Sequence, residues 1–197
     1  MQRIFLSLLL FVLPGLALAQ QTTWAVDAAH SDISFGVDHM VISETEGQFH
    51  DDTLDVKADK PDFTDADVKL VIQVGSIDTD NEDRYKHLRS GDFFKADEYP
   101  TITIVGKGLK PTGKQDHYTL DAKVTMLGVT KPMELEVEHR GTVKNPMSGK
   151  QTAGFRVTGV LDRTDYGLKY NSVMDNGGML IGEEVRLQAD MELMKAS

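Results

Sequence analysis

Asp27, His30 and Ser31 bring the three residue types of a hydrolase triad into five consecutive positions. A working triad draws its hydroxyl, base and orienting acid from separated segments, so that the three can line up. No G-x-S-x-G elbow accompanies these residues. The plainer expectation is that Asp27 and Ser31 bond backbone groups at the entry to a strand. The six histidines raise metal chemistry next. His30 and His39, on one extended strand, would stand about 30 Å apart and could share an ion only across a bend. Neither H-E-x-x-H nor a close histidine pair occurs. His87, four residues after Asp83, fits a surface ion pair on a helix. The residue types therefore assign no catalytic residue, no metal ligand and no cofactor.

Two other clusters stand out. Phe93 and Phe94 are adjacent aromatics after a helical segment, and such a pair either anchors a loop to a core or lies as a lid over a cavity. Arg163, Asp165, Tyr166 and Gly167 end a strand pattern, where a charged pair flanks a turn or latches the mouth of a cavity.

Composition narrows the field. The chain has 197 residues, no cysteine, and 31 acidic against 21 basic side chains, a formal net charge of −10. Without cysteine there are no disulfides, zinc thiolates, iron–sulfur clusters or thiol nucleophile. An acidic chain with no Lys/Arg block suits neither nucleic acid nor an anionic membrane surface. Residues 1–19 read as a cleaved signal peptide: Arg3, an apolar run from Ile4 to Leu13, then Ala17-Leu18-Ala19. The run is short for a membrane span. Residues 20–197 are then expected as a single domain in a periplasm.

The elements that must position any site are strands. Apolar residues recur with period two at Ile33, Phe35 and Val37; at Val68, Leu70, Ile72 and Val74; and at Leu120, Ala122, Val124 and Met126. The same holds for Met133, Leu135 and Val137, for Ala153, Phe155 and Val157, and for Val185, Leu187, Ala189, Met191 and Leu193. Such alternation predicts antiparallel strands with one dry and one wet face. Lys110 to Lys114 and Asn145 to Gly149 read as hairpin loops. Thr79-Asp80-Asn81-Glu82 resembles a capping box and Gly91 a C-cap, which predicts a short helix over 80–90 with Tyr85 and Leu88 towards the sheet. Strands of about ten residues, each roughly 33 Å long, could close as a barrel of about eight strands with room for a ligand, or fold over as a sandwich. The pattern does not choose between them.

A resemblance does. Trp24-x-x-Asp27-x-x-His30-Ser31-x-Ile33-x-Phe35-x-x-x-His39 resembles the opening of the YceI-like family of periplasmic proteins. Gly47-x-Phe49, then Asp83-Arg84-x-x-His87-Leu88-x-Ser90-x-Asp92-Phe93-Phe94, then Tyr99-Pro100-x-Ile102 continue it in order. Leu127 to Pro132, Arg163-x-Asp165-x-Gly167 and Ile181-Gly182-x-Glu184-Val185 complete it. Tyr166 stands where the family often has Phe.

The resemblance implies an all-β, elongated, lipocalin-like antiparallel barrel. It implies an apolar cavity holding a polyisoprenoid or other long-chain amphiphile, an isoprenoid quinone in some members. It points to a non-catalytic binding or carrier protein that meets a membrane or membrane protein when exchanging lipid. An enzyme acting on such a lipid, with His30 or His39 as acid–base group, is the alternative. The expected cavity wall comprises Phe35, Val37, Ile72, Val74, Val124, Met126, Leu135, Val137, Phe155 and Val157. His39, Phe93, Phe94, Arg163 and Tyr166 are the candidates for its entrance or head-group end.

Overall fold

The computed structural model describes residues 21–175 and 177–196; the expected signal peptide lies outside them. The strands are β1 (Thr23–Val26), β2 (Asp32–His39), β3 (Ser43–Phe49), β4 (Asp52–Lys57), β5 (Asp67–Gln73) and β6 (Ile77–Asp78). After the helix α1 (Glu82–Arg89) come β7 (Thr101–Lys107), β8 (Lys110–Pro111), β9 (His117–Met126), β10 (Val129–Lys144), β11 (Gln151–Asp162) and β12 (Ile181–Lys195). The sheet runs β1-β4-β5-β7-β9-β10-β11-β12 and closes where β12 bonds β1. β2 bonds the first half of β12 and β1 the second half, so β1 and β2 are two parts of one bent course. β3 with β4, and β5 with β6, are bent in the same way. The result is an eight-stranded antiparallel barrel of the lipocalin-like kind. Closure pairs most strand edges and so hides most of the backbone groups that an open sheet exposes; β3 keeps a free edge over residues 43–47, where β6 no longer reaches it.

The period-two pattern is what turns the barrel inside in. Along β10, Met133, Leu135 and Val137 are buried while Glu134 and Glu136 face solvent. Along β9, Leu120, Ala122, Val124 and Met126 are buried in the same alternation. Gly47 of β3 lies opposite Phe35 of β2. A Cβ at that glycine would stand 2.4 Å from Phe35 Cζ, so only a bare backbone lets the ring lie across β3. The β9–β10 turn is tight, with Leu127 at φ 51° and Gly128 at φ 75°. In the β10–β11 turn, Asn145 Oδ1 accepts from the Met147 and Ser148 amides.

Three local expectations change. The helix spans Glu82–Arg89 and its cap is Asn81, whose side chain accepts from the Arg84 amide at 2.9 Å. Thr79 cannot cap it, because Thr79 is buried and its hydroxyl accepts from Arg84 Nε at 2.9 Å. Ser90 closes the helix with extended backbone, so the left-handed freedom of Gly91 is not used. Lys110–Pro111, expected within a loop, pairs as a short strand with β9. Val74 leaves the β5 alternation for a 3₁₀ turn, Val74–Ser76, that bends the chain into β6.

Candidate functional site

The barrel encloses a cavity of about 460 Å³, within the roughly 300–1,000 Å³ of small-molecule sites. Its wall is the inward face of the strands. Phe35, Val37, Ile72, Val124, Met126, Leu135, Val137, Phe155 and Val157 all line it, each from an alternating position. Val74 does not: the 3₁₀ turn carries it off the wall and into packing, where it is 1% exposed. His39, Phe93, Phe94 and Arg163 also line the cavity, whereas Tyr166 is buried behind it in the 3₁₀ turn Arg163–Tyr166.

One end is plugged. Phe63, 1% exposed, meets Trp24 with ring centroids 4.9 Å apart and Phe155 edge-on at 4.8 Å. Trp24 Nε1 donates to the Ala58 carbonyl at 3.1 Å, which spares the buried indole an unpaired donor. His139, the cross-strand partner of Phe155, stacks on its ring. Burial lowers the His139 pKa, although the Asp116 carboxylate opposes this. Sequence reasoning did not single out Phe63; the available signal is a lone aromatic in the polar stretch Lys60 to Asp65.

The other end is where polar groups meet the cavity. The charged or titratable residues lining it there are Asp38, His39, Arg84, His87, Arg163 and Tyr170. Tyr170 is 39% exposed, against 1% for Phe63 at the plug, so solvent reaches the cavity at this end. His87 of α1, Phe93 and Tyr170 form an aromatic cluster with centroids 4.7–5.0 Å apart. The helix and the loop after it thus sit at the mouth. Arg84 and Tyr170 were not singled out as site residues from sequence, because the contacts that bring them here are long-range.

Arg163 is the latch of this end. It is 3% exposed and donates to the carbonyls of Gly182 at 2.7 Å, Ile181 at 3.4 Å and Leu168. Burial lowers its pKa. Asp165 pairs with Lys131 at 2.8 Å. The two charges at this turn therefore serve separate contacts, Arg163 holding the 167–181 segment and Asp165 holding β10.

The Asp27, His30 and Ser31 cluster lies outside the cavity lining. His30 Nδ1 is 3.0 Å from Asp27 Oδ2. That hydrogen bond raises the pKa of His30 and lowers that of Asp27. Ser31 Oγ accepts from the Glu192 amide at 3.0 Å, joining the bend between β1 and β2 to β12. Donor atoms of Asp27, His30 and Glu192 lie within 4.8 Å of one another. His30 and Asp27 already satisfy each other, and His30 is largely exposed.

The model of the YceI-like domain matches residues 24–193. The chain belongs to the YceI-like family. A UPF0312 protein of Staphylococcus aureus strain MSSA476 is 35% identical over 171 residues, covering 87% of this chain and 96% of that protein. Among solved structures, a YceI protein of Campylobacter jejuni superposes with a TM-score of 0.69 at 27% identity, covering 87% of this chain and 96% of that one. A polyisoprenoid binding domain from Saccharophagus degradans superposes with a TM-score of 0.62 at 14% identity, covering 90% and 100%. That last likeness is one of fold. The YceI-like motifs map onto the architecture with clear roles: Trp24 to the plug, Gly47 to the passage of Phe35, and Arg163 to the latch.

Proposed function

We propose that this protein binds and carries a polyisoprenoid or related long-chain amphiphile in its barrel, with an isoprenoid quinone among the candidate ligands. The observation that carries this reading is the cavity: an apolar wall built by alternate strand positions, plugged by aromatics at one end and polar at the other. A chain of carbons gains by leaving water for such a wall, at about 0.8 kcal/mol per carbon, or on the order of 4 kcal/mol per isoprene unit. The tail then supplies affinity, and the groups at the mouth select head group and orientation. The Saccharophagus domain of like fold, described as polyisoprenoid binding, supports the same reading. Location in a periplasm follows from the expected signal peptide, and N-terminal sequencing of the exported protein should begin at Gln20. An intact Met1 on membrane-bound protein would overturn that placement.

Native mass spectrometry of protein purified from its own host tests the ligand directly. It should give a mass excess that organic extraction removes and identifies as a long-chain lipid. Val137→Glu, which puts an unpaired charge into the wall, should reduce that excess, while Glu136→Gln on the outer face should keep it. Equal loss from both would reject the cavity as the site. A catalytic alternative keeps one structural foothold, because His39 lines the mouth while His30 does not. Turnover of the extracted lipid that is lost in His39→Ala, with binding retained, would favour an enzyme.

A further inference from the structure

We infer that the β2–β3 hairpin tip, Met40-Val41-Ile42, docks the mouth of the cavity onto a lipid bilayer surface. The inference rests on the lipid-carrier reading above.

The tip is built against ordinary turn chemistry. Ile42 N bonds His39 O at 3.3 Å, and the two residues between them, Met40 and Val41, have φ of 54° and 64°. A hairpin turn with two positive φ values is normally given to Asn-Gly or Asp-Gly, and a β-branched residue there is an outlier. At the same end of the barrel, the β9–β10 turn places glycine, Gly128, at its second positive-φ position. Val41 and Ile42 are 74% and 81% exposed. The tip therefore combines backbone strain with exposed apolar surface, and neither helps the barrel to fold.

A second segment brings the same chemistry to the same place. Met40 N donates to Leu180 O at 2.9 Å, which holds the tip beside the end of the 167–180 loop. Val173 and Met179 face each other there as bridge partners, 71% and 42% exposed. Their chain neighbours His39 and Leu180 line the cavity, so the patch adjoins the mouth. A lipid tail entering from this patch meets Leu180 and Ile181 beside the polar groups that ring the mouth.

A bilayer fits the patch better than a protein partner does. Beside the tip, β3 bonds β6 only at Gln48 and Phe49, and the edge left free carries the exposed acids Glu44 and Glu46, which discourage pairing with another strand. The tip's nearest cation, Arg186, is shared by Asp38 at 2.6 Å and Glu44 at 3.0 Å, which leaves one net negative charge and no free positive charge beside the tip. With a net charge of −10, the chain gains nothing from anionic lipid. Insertion of the apolar tip should therefore be insensitive to salt and work on zwitterionic membranes.

The test is flotation of the purified full-length mature protein with phosphatidylcholine vesicles. A triple variant, Met40→Asn, Val41→Gly and Ile42→Thr, installs favoured turn residues and removes the apolar tip. It should keep or raise the melting temperature and retain its lipid by native mass spectrometry, yet bind vesicles roughly tenfold or more weakly. Met147→Ser is the control: Met147 is 92% exposed, but it lies in the β10–β11 turn at the plugged end, and its loss should leave flotation unchanged. Undiminished flotation of the triple variant would overturn the inference, as would equal loss in the Met147 control. A parent protein that is dimeric without vesicles, and monomeric once the tip is changed, would assign the patch to self-association and overturn it too. Tip-dependent flotation of a protein that never carries lipid would keep the docking surface while rejecting the carrier reading.

Discussion

The imidazole of His139 stacks on the ring of Phe155, with centroids 4.9 Å apart and planes 19° from parallel. Phe63 meets both rings edge-on, at 5.4 Å and 4.8 Å. A titratable ring thus forms part of the plug that closes the cavity. Burial lowers the His139 pKa, so the unfolded chain takes up this proton first. Its contribution to stability is fully present above the ordinary histidine value of about 6.5 and is lost as pH falls through the lowered folded value. His30 behaves oppositely. Its hydrogen bond to Asp27 raises its pKa, so its small stabilisation is present below about 6.5 and fades as pH rises through the raised value. Imidazole resonances followed by NMR should titrate with His139 below His30. His139→Phe, which keeps the stack, should flatten the stability loss between neutral pH and the lowered value. A His139 midpoint above that of His30 would contradict the burial of the plug.

The contact between Gly47 and Phe35 makes a second prediction. A methyl group at position 47 would lie 2.4 Å from Phe35 Cζ and 2.8 Å from Thr79 Cγ2. Gly47→Ala must therefore push the Phe35 ring further into the cavity, at a cost of about 1–3 kcal/mol for overpacking. Chemical denaturation should detect that loss, and lipid occupancy should fall with it. In a Phe35→Val background, Gly47→Ala should cost less than in the parent, because the ring's share of the clash is gone while that with Thr79 Cγ2 remains. An equal cost in both backgrounds would mean that the approach of Phe35 is not what requires glycine.

Phe94 lines the cavity beside α1, and its amide donates to the Leu88 carbonyl at 3.0 Å. It is only partly buried against the core, unlike Phe93. Phe94→Ala should lower stability by about 1–2 kcal/mol and speed lipid release severalfold, since the side chain removed stands at the mouth. Thermal melting and lipid off-rate measured on the same variant separate the two effects. A large loss of stability with an unchanged off-rate would leave Phe94 as packing alone.

How much was legible beforehand differs from residue to residue. Strand periodicity is local: a residue's side of the sheet follows from its parity along the strand. For that reason Val124, Leu135, Val137 and Phe155 could be placed on the inner face from sequence, and the all-β class with them. The helix over 80–90 was visible for a similar reason, through its composition, although its cap moved to Asn81 because Thr79 was drawn into the interior.

Tertiary structure decided the rest, because it depends on contacts between segments far apart in the chain. Sequence alternation suits a sandwich as well as a barrel; only the bonding of β12 to β1 and β2 closes the sheet. Val74 continued the alternation on paper but turned away where the chain bends into β6. The plug joins Trp24, Phe63, His139 and Phe155 from four separate segments, and the mouth gathers His39, Arg84, Phe93 and Tyr170 in the same way. Parity along a strand determines which way a side chain points. Which end of the barrel is open depends on which loops reach across it, and that is determined only when the strands close.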